Sequence, residues 1–156
     1  MLHSLPVIHQ RRESVSSETL LRPPSVCVKN TGTPKGRGVF ALRAFKKGEV
    51  VEVCPVVLFR MPFEELPEEI RKFVYDWARM PDTNALALGY GSLYNHGNPA
   101  SLRYEADESG LLLRFIAVRD VAADEELTIN YNAEGGGAES DDDHWFEING
   151  VTPLAG

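Results

Sequence analysis

The stretch GSLYNHGNP, residues 91–99, sets an asparagine beside a histidine in a segment without a helical hydrophobic period. Glycines and a proline around the pair favour a turn or loop. On these residues alone, four interpretations of Asn95 and His96 stay open: turn chemistry, a metal site, half of a catalytic pair, or part of a cofactor pocket. A choice among them needs the rest of the chain.

The composition is that of one globular domain. The chain has 156 residues, of which 43% are hydrophobic and 25% charged, and this balance is typical of a folded protein. No apolar run approaches the roughly 20 residues of a membrane-spanning helix. The N-terminus lacks the long apolar stretch of a secretory signal. We therefore expect an intracellular protein, with the cytoplasm favoured over the nucleus and a transit peptide as the alternative.

The charge is unevenly distributed. Residues 1–49 hold nine Lys and Arg against three Asp and Glu, whereas residues 50–156 hold seven against twenty. An acidic body argues against direct binding of nucleic acid and suits a basic, lysine-containing protein or peptide. Residues 1–24, which end in Pro23-Pro24, are expected to form an N-terminal arm that could pair with a second subunit in a homodimer.

The cysteines and histidines do not suggest a metal site. Cys27 and Cys54 are the only cysteines, and the four histidines are scattered along the chain. Neither set has the spacing of zinc ligands. We expect no bound metal and two buried, reduced thiols.

Short strands separated by turns account for most of residues 25–132. One helix is predicted in LPEEIRKFVYDWARMP, residues 66–81, because Pro67 fits a first helical position and apolar residues follow at i, i+3, i+4 and i+7. These apolar residues are Ile70, Phe73, Val74 and Trp77. The predicted class is β-rich α+β with one inserted helix over about 67–79. Residues 133–156 are expected to form a flexible acidic loop followed by an aromatic segment.

Gly36-Arg37-Gly38 precedes a strand, with no helix after it, so the dinucleotide-binding and P-loop interpretations fail on context. Two glycines would let a ligand approach the backbone closely, although for this motif alone a plain turn is the favoured explanation. Tyr131 ends the predicted strand DEELTINY, residues 124–131. Its hydroxyl, with an ordinary pKa of about 10, is a poor general base but a directional donor and acceptor.

Three motifs in this order resemble the SET domain of protein lysine methyltransferases: KGRGVFA (35–41), LYNHGNP (93–99) and DEELTINY (124–131). The resemblance covers about residues 26–132 and implies a SET domain over 25–132. It also implies short strands in small sheets and a knot-like crossing near the C-terminus, where segments 91–97 and 125–131 meet.

The resemblance implies S-adenosyl-L-methionine as cofactor and gives a role to each motif. The glycine motif would line the methionine end of the cofactor, the Asn95 side chain would bind it, and the His96 backbone would contact the adenine. Tyr131 would be the catalytic tyrosine, beside the methyl group and the target nitrogen. The implied cofactor-binding set is Gly36, Arg37, Gly38, Tyr94, Asn95, His96 and Tyr131.

The chain departs from the family pattern in three places. Gly97 stands where Ser, Cys or Asp is common. A cysteine-rich segment after the core is missing, so Trp145 and Phe146 are the candidates to close the lysine channel. Ile129 occupies the position where Phe or Tyr often sets the number of methyl groups, and mono-, di- and trimethylation stay open.

The predicted function is S-adenosylmethionine-dependent methylation of lysine side chains in a basic protein, histone or other. Methyl transfer to an amine is an in-line displacement that needs alignment and a neutral amine rather than a metal or a protein nucleophile. An apolar channel favours loss of the lysine proton. The alternative is a catalytically inactive SET-like module that binds a peptide or the cofactor.

Overall fold

The fold was analysed in a computed structural model that describes residues 21–77, 80–137, 139 and 144–148. Most of the predicted N-terminal arm, residues 1–20, lies outside this range, as does much of the predicted acidic loop. Within the described residues, no helix is long and apolar enough to cross a membrane.

In the part of the chain that the structure describes, nine strands form two mainly antiparallel sheets. The first sheet runs in the order β1 (Val26–Asn30), β2 (Arg37–Ala41), β9 (Glu126–Ile129) and β6 (Asn95–His96). The second runs in the order β4 (Val74–Asp76), β5 (Thr83–Ala87), β3 (Val50–Arg60), β8 (Leu112–Ala117) and β7 (Leu102–Asp107). The two α-helices are single turns, α1 (Glu68–Arg71) and α2 (His144–Ile148). The predicted β-rich α+β class is confirmed.

The core lies between the strands, and along β9 and the first half of β8 buried side chains alternate with half-buried ones. Leu113 and Phe115 of β8 are almost completely buried, as are Val39 of β2 and Leu127 of β9. Strands β7 and β8 form an antiparallel hairpin. In its loop, the Asp107 carboxylate accepts hydrogen bonds from the Ser109 hydroxyl and the Gly110 N–H, at 2.8 and 3.0 Å.

The helix predicted over 67–79 was wrong in length. Helix α1 ends at Arg71, and residues 74–76 form β4, which pairs antiparallel with β5. Tyr75 and Trp77 are buried while Ile70 is 39% exposed, so burial follows a two-residue period there rather than the helical one. Pairing with a neighbouring strand, which local sequence does not reveal, overrode the helical pattern.

The two segments expected to cross near the C-terminus do lie side by side. Strands β6 and β9 pair in parallel, with Asn95 opposite Thr128 and His96 opposite Ile129. The Gly97 N–H donates to the Ile129 carbonyl at 3.0 Å, which extends the pairing past the strand end. Parallel pairing of residues 33 positions apart brings the Asn-His motif next to the end of β9, where Tyr131 follows.

Candidate active site

The glycine turn, residues 36–38 at the start of β2, contains two glycines, and a different structural reason explains each of them. Gly36 has a φ of +75°, a conformation that favours glycine, and the space beside its Cα is open. Gly38 has no Cβ because one would collide with the Glu126 carboxylate and lie 2.8 Å from Cγ2 of Thr31. The first glycine therefore leaves room beside the backbone, and the second admits a carboxylate from β9.

Asn95 ties this turn to β9. Its side-chain nitrogen donates to the Arg37 carbonyl and to Oε1 of Glu126, both at 2.8 Å. The glycine turn, the Asn-His motif and the first residue of β9 are thus joined through one amide group. These contacts make Glu126 a structural support between the glycine turn and β6.

His96 is held on both its ring and its backbone. The ring nitrogen Nδ1 accepts a hydrogen bond from the Tyr131 N–H at 3.2 Å, which defines the neutral tautomer with its proton on Nε2. The His96 carbonyl accepts from Nζ of Lys35 at 3.2 Å. A ring nitrogen that accepts from the backbone supports the local structure and is not available as a base.

Tyr131 connects the Asn-His motif to the interior. Its hydroxyl donates to the Tyr94 carbonyl at 2.8 Å. Burial, with a smaller contribution from the Glu126 charge, raises the pKa of Tyr131 to about 12. The phenol is therefore protonated at neutral pH and acts as a hydrogen-bond donor, as the sequence led us to expect of it.

A cavity of about 280 Å³ opens on the other side of Tyr131. Its wall is largely aromatic and apolar, and residues 71–76 of the inserted segment also line it. Tyr75 and Tyr104 meet edge-on with ring centroids 4.9 Å apart, and Tyr94 packs on Phe115 at 4.8 Å. The lining residues closest to the predicted site are Tyr75, Tyr94, Tyr104, Ile129, Asn130 and Tyr131.

The C-terminal aromatic segment returns to the site. Phe146 of α2 is 7% exposed and packs edge-on against the His96 ring, with centroids 4.7 Å apart. Its ring is also stacked with Tyr131, at a centroid distance of 6.4 Å. The side chain of Trp145, the other candidate for closing the channel, lies outside the described part of the structure.

The predicted site residues divide into two groups. Tyr94, Ile129 and Tyr131 line the cavity, whereas the glycine turn, Asn95, His96 and Phe146, which was expected to close the lysine channel, lie outside its lining. Sequence reasoning missed Tyr75 and Tyr104 as wall residues. Tyr75 was assigned to a predicted helix, and Tyr104 lies in a strand pattern where an aromatic residue is ordinary core. No local signal distinguishes either one from packing.

The departure at Gly97 has a packing reason. A Cβ at this position would collide with Oγ1 of Thr128 and lie 2.7 Å from Cβ of the same residue. Thr128 is the residue opposite Asn95 in the β6–β9 pair. With Thr128 in this place, position 97 has no room for a side chain.

Comparison with known proteins agrees with this architecture. The SET-domain family model matches residues 36–132, more than half of the chain. The chain is 30% identical over 117 residues to a Schizosaccharomyces pombe protein named histone-lysine N-methyltransferase, H3 lysine-37 specific, an alignment that covers 72% of this chain and 71% of the relative.

Solved structures give the same result. A candidate histone methyltransferase of Plasmodium falciparum superimposes with a TM-score of 0.59 at 26% identity, covering 72% of this chain and 97% of the other. A polycomb repressive complex 2 from Chaetomium thermophilum, bound to S-adenosylmethionine, matches with a TM-score of 0.57 over 71% of this chain and 15% of that one. At 17% identity, this second likeness concerns the fold alone. The chain belongs to the SET-domain family, and its function is that of a protein-lysine methyltransferase.

Proposed function

We propose that this protein binds S-adenosylmethionine beside the glycine turn and the Asn-His motif, and that it methylates a lysine which enters through the aromatic cavity. One observation carries the proposal: Tyr131 lies where these two features meet. Its backbone N–H donates a hydrogen bond to the His96 ring, and its hydroxyl donates one to the Tyr94 carbonyl in the cavity wall.

The residues around the glycine turn fit the proposed cofactor. The open space beside Gly36 allows a ligand close to the backbone. The Glu126 carboxylate and the Asn95 amide are polar groups suited to an ammonium, while exposed Arg37 supplies the opposite charge for a carboxylate. The rings of His96 and Phe146 offer apolar faces to an adenine. Bound there, S-adenosylmethionine would supply an electrophilic methyl group.

The residues of the cavity would prepare the amine. Aromatic walls exclude water and disfavour the charged form of a lysine, which lowers its pKa from the reference value of about 10.4. Tyr131 stays protonated because its pKa is about 12, so it would orient the amine rather than deprotonate it. Methyl transfer would then depend on alignment more than on acid–base catalysis.

The substrate is proposed to be a basic protein segment, with histone H3 as the first one to test because the S. pombe relative is named for it. The inserted segment, residues 63–76, carries five acids, Glu64, Glu65, Glu68, Glu69 and Asp76, against Arg71 and Lys72. Asp76, Arg71 and Lys72 line the cavity, and the four glutamates lie outside its lining, so the segment as a whole is acidic. This negative charge would attract a lysine-rich peptide. The inactive-module alternative has no comparable support from the relatives.

The proposal is tested by two measurements on the full chain. Isothermal calorimetry with S-adenosylmethionine should show one binding site. Incubation with tritiated cofactor and recombinant core histones should then transfer label to lysine, with the position read by mass spectrometry. Cofactor binding without transfer to histones or to a lysine peptide array would favour the inactive module, and absence of binding would reject the proposal.

A further inference from the structure

Glu52 is a carboxylate buried behind the aromatic wall of the cavity. It lies on β3 and is only 5% exposed. Burial of a charged group is expensive unless hydrogen bonds compensate for lost hydration. Glu52 has two such bonds: Oε1 accepts from the Tyr90 N–H at 2.9 Å, and Oε2 accepts from the Tyr94 hydroxyl at 2.8 Å.

These two bonds hold both ends of one turn. Tyr90 and Tyr94 flank the 3₁₀ turn Gly91–Leu93 at its start and its end. Asn95 and His96 follow immediately as β6. Through one side chain, β3 therefore fixes the turn that leads into the Asn-His motif.

The same contacts continue to Tyr131. Tyr94 donates its hydroxyl to Glu52 and accepts the Tyr131 hydroxyl at its carbonyl. A shift of Tyr94 would move the acceptor that directs the Tyr131 phenol. Two hydrogen bonds, with Tyr94 between them, thus connect Glu52 to Tyr131. We call this connection the Glu52 path.

The surrounding chain accommodates this carboxylate specifically. A Cβ at Gly89 would lie 2.7 Å from Oε1 of Glu52, and Gly89 has a φ of +84°. An apolar side chain at position 52 would satisfy burial without a desolvation cost. Besides the Cys54 thiol on its own strand, Glu52 bonds to Tyr90 and Tyr94 of the turn beside the site, which points to a role in placing that turn.

We propose that Glu52 is a positioning residue for methyl transfer, which sets the direction of the Tyr131 hydroxyl through Tyr94. This inference rests on the proposed function for its catalytic consequence. The hydrogen-bond path itself can be tested without any activity.

The first test observes the Tyr131 ring directly in full-length protein labelled with ¹³Cζ-tyrosine. Substitution Tyr131→Phe assigns its resonance among the five tyrosines of the chain. Glu52→Ala should shift this resonance by more than its linewidth, as should Tyr94→Phe, which removes only the hydroxyl that Glu52 accepts. Glu52→Gln should return it towards the wild-type position, because an amide can accept from the Tyr90 N–H and donate to the Tyr94 oxygen.

Val56→Ala is the matched control, because Val56 is buried on the same strand without a bond to Tyr94. It should lower stability and leave the Tyr131 resonance in place. An unchanged resonance in Tyr94→Phe and in folded Glu52→Ala would overturn the proposal, as would an equal shift in Val56→Ala. If Glu52→Ala does not fold, Tyr94→Phe decides by itself.

The second test measures kinetics with the histone substrate. Tyr94→Phe and Glu52→Ala should lower kcat about tenfold or more through misalignment, while cofactor affinity changes less than twofold. Glu52→Gln should restore kcat towards the wild-type value. Val56→Ala should lower kcat less than Glu52→Ala does. Loss of cofactor affinity in place of kcat would overturn the catalytic part. If the wild-type protein transfers no methyl group, the proposed function is rejected. The shift of the Tyr131 resonance still tests the hydrogen bonds that connect Glu52 to Tyr131.

Discussion

The two sides of Tyr131 are built from different kinds of contact. On the cradle side, defined here as residues 36–38, Asn95, His96 and Glu126, polar groups bond to backbone and glycines allow close approach. On the cavity side, aromatic rings pack against one another around an open space. The cradle depends on particular residue types at fixed positions, whereas the cavity depends on how distant strands meet.

The largest effect is expected from Tyr131→Phe, because it removes the hydroxyl that bonds to the Tyr94 carbonyl in the cavity wall, next to the cradle. Methyl transfer should fall about 100-fold from loss of alignment, and calorimetry should show cofactor affinity within about threefold of wild type. The ring and its contact with Phe146 remain, so the fold should be retained. Undiminished transfer would remove Tyr131 from its proposed role.

Gly38→Ala tests whether the cradle needs its exact backbone shape. The new Cβ would collide with the Glu126 carboxylate that Asn95 holds, and such overpacking costs about 1–3 kcal/mol. We expect cofactor affinity to fall about tenfold or more, since 1.4 kcal/mol corresponds to a factor of about ten.

The control for this variant is Gly48→Ala, at a φ of +85° with open space around it. It should lower the melting temperature through backbone strain and leave cofactor affinity unchanged. Equal loss of affinity in both variants would mean that general destabilisation, rather than the cradle, explains the result.

The pH dependence tests how the cavity side handles the amine. Below the lysine pKa, the neutral fraction rises about tenfold per pH unit, so kcat/KM should rise between pH 7 and 9. The Tyr131 pKa of about 12 means that its hydroxyl stays protonated over this range. The rise should therefore end in a plateau and not in a fall. A fall below pH 10 in protein that is folded by circular dichroism would contradict this assignment.

The smallest effect is expected from Phe146→Ala, which removes the ring packed against both His96 and Tyr131. Aromatic contacts of this kind contribute about 0.5–1.5 kcal/mol. Cofactor affinity measured by calorimetry should fall about two- to tenfold. Phe59→Ala, on β3 and outside the cavity lining, should leave affinity unchanged. An unchanged cofactor affinity in Phe146→Ala would mean that α2 does not contribute to the cofactor site.

The sequence predicted most of the strands and the order of the three motifs, but not the inserted segment. Val74, Tyr75 and Trp77 fit an apolar stripe on a helix as well as an alternating strand, and only the pairing of β4 with β5 distinguishes the two. Cys27 shows a similar limit: it is only half-buried, although its strand context predicted burial.

The motif residues were visible in the sequence because their chemistry depends on residue type. The backbone at position 36 is left-handed, position 38 has no room for a side chain, and position 95 uses an amide group. Each of these requirements selects a residue type that can be recognised in the sequence. The cavity wall and the Glu52 path have no such signature in the sequence. Tyr75, Tyr104 and Glu52 come from separate strands, and their roles depend on the contacts that these strands make in the folded protein. Sequence alone determined the family and the three motifs; the tertiary structure decided what surrounds Tyr131, since packing between distant strands is not encoded in any local pattern.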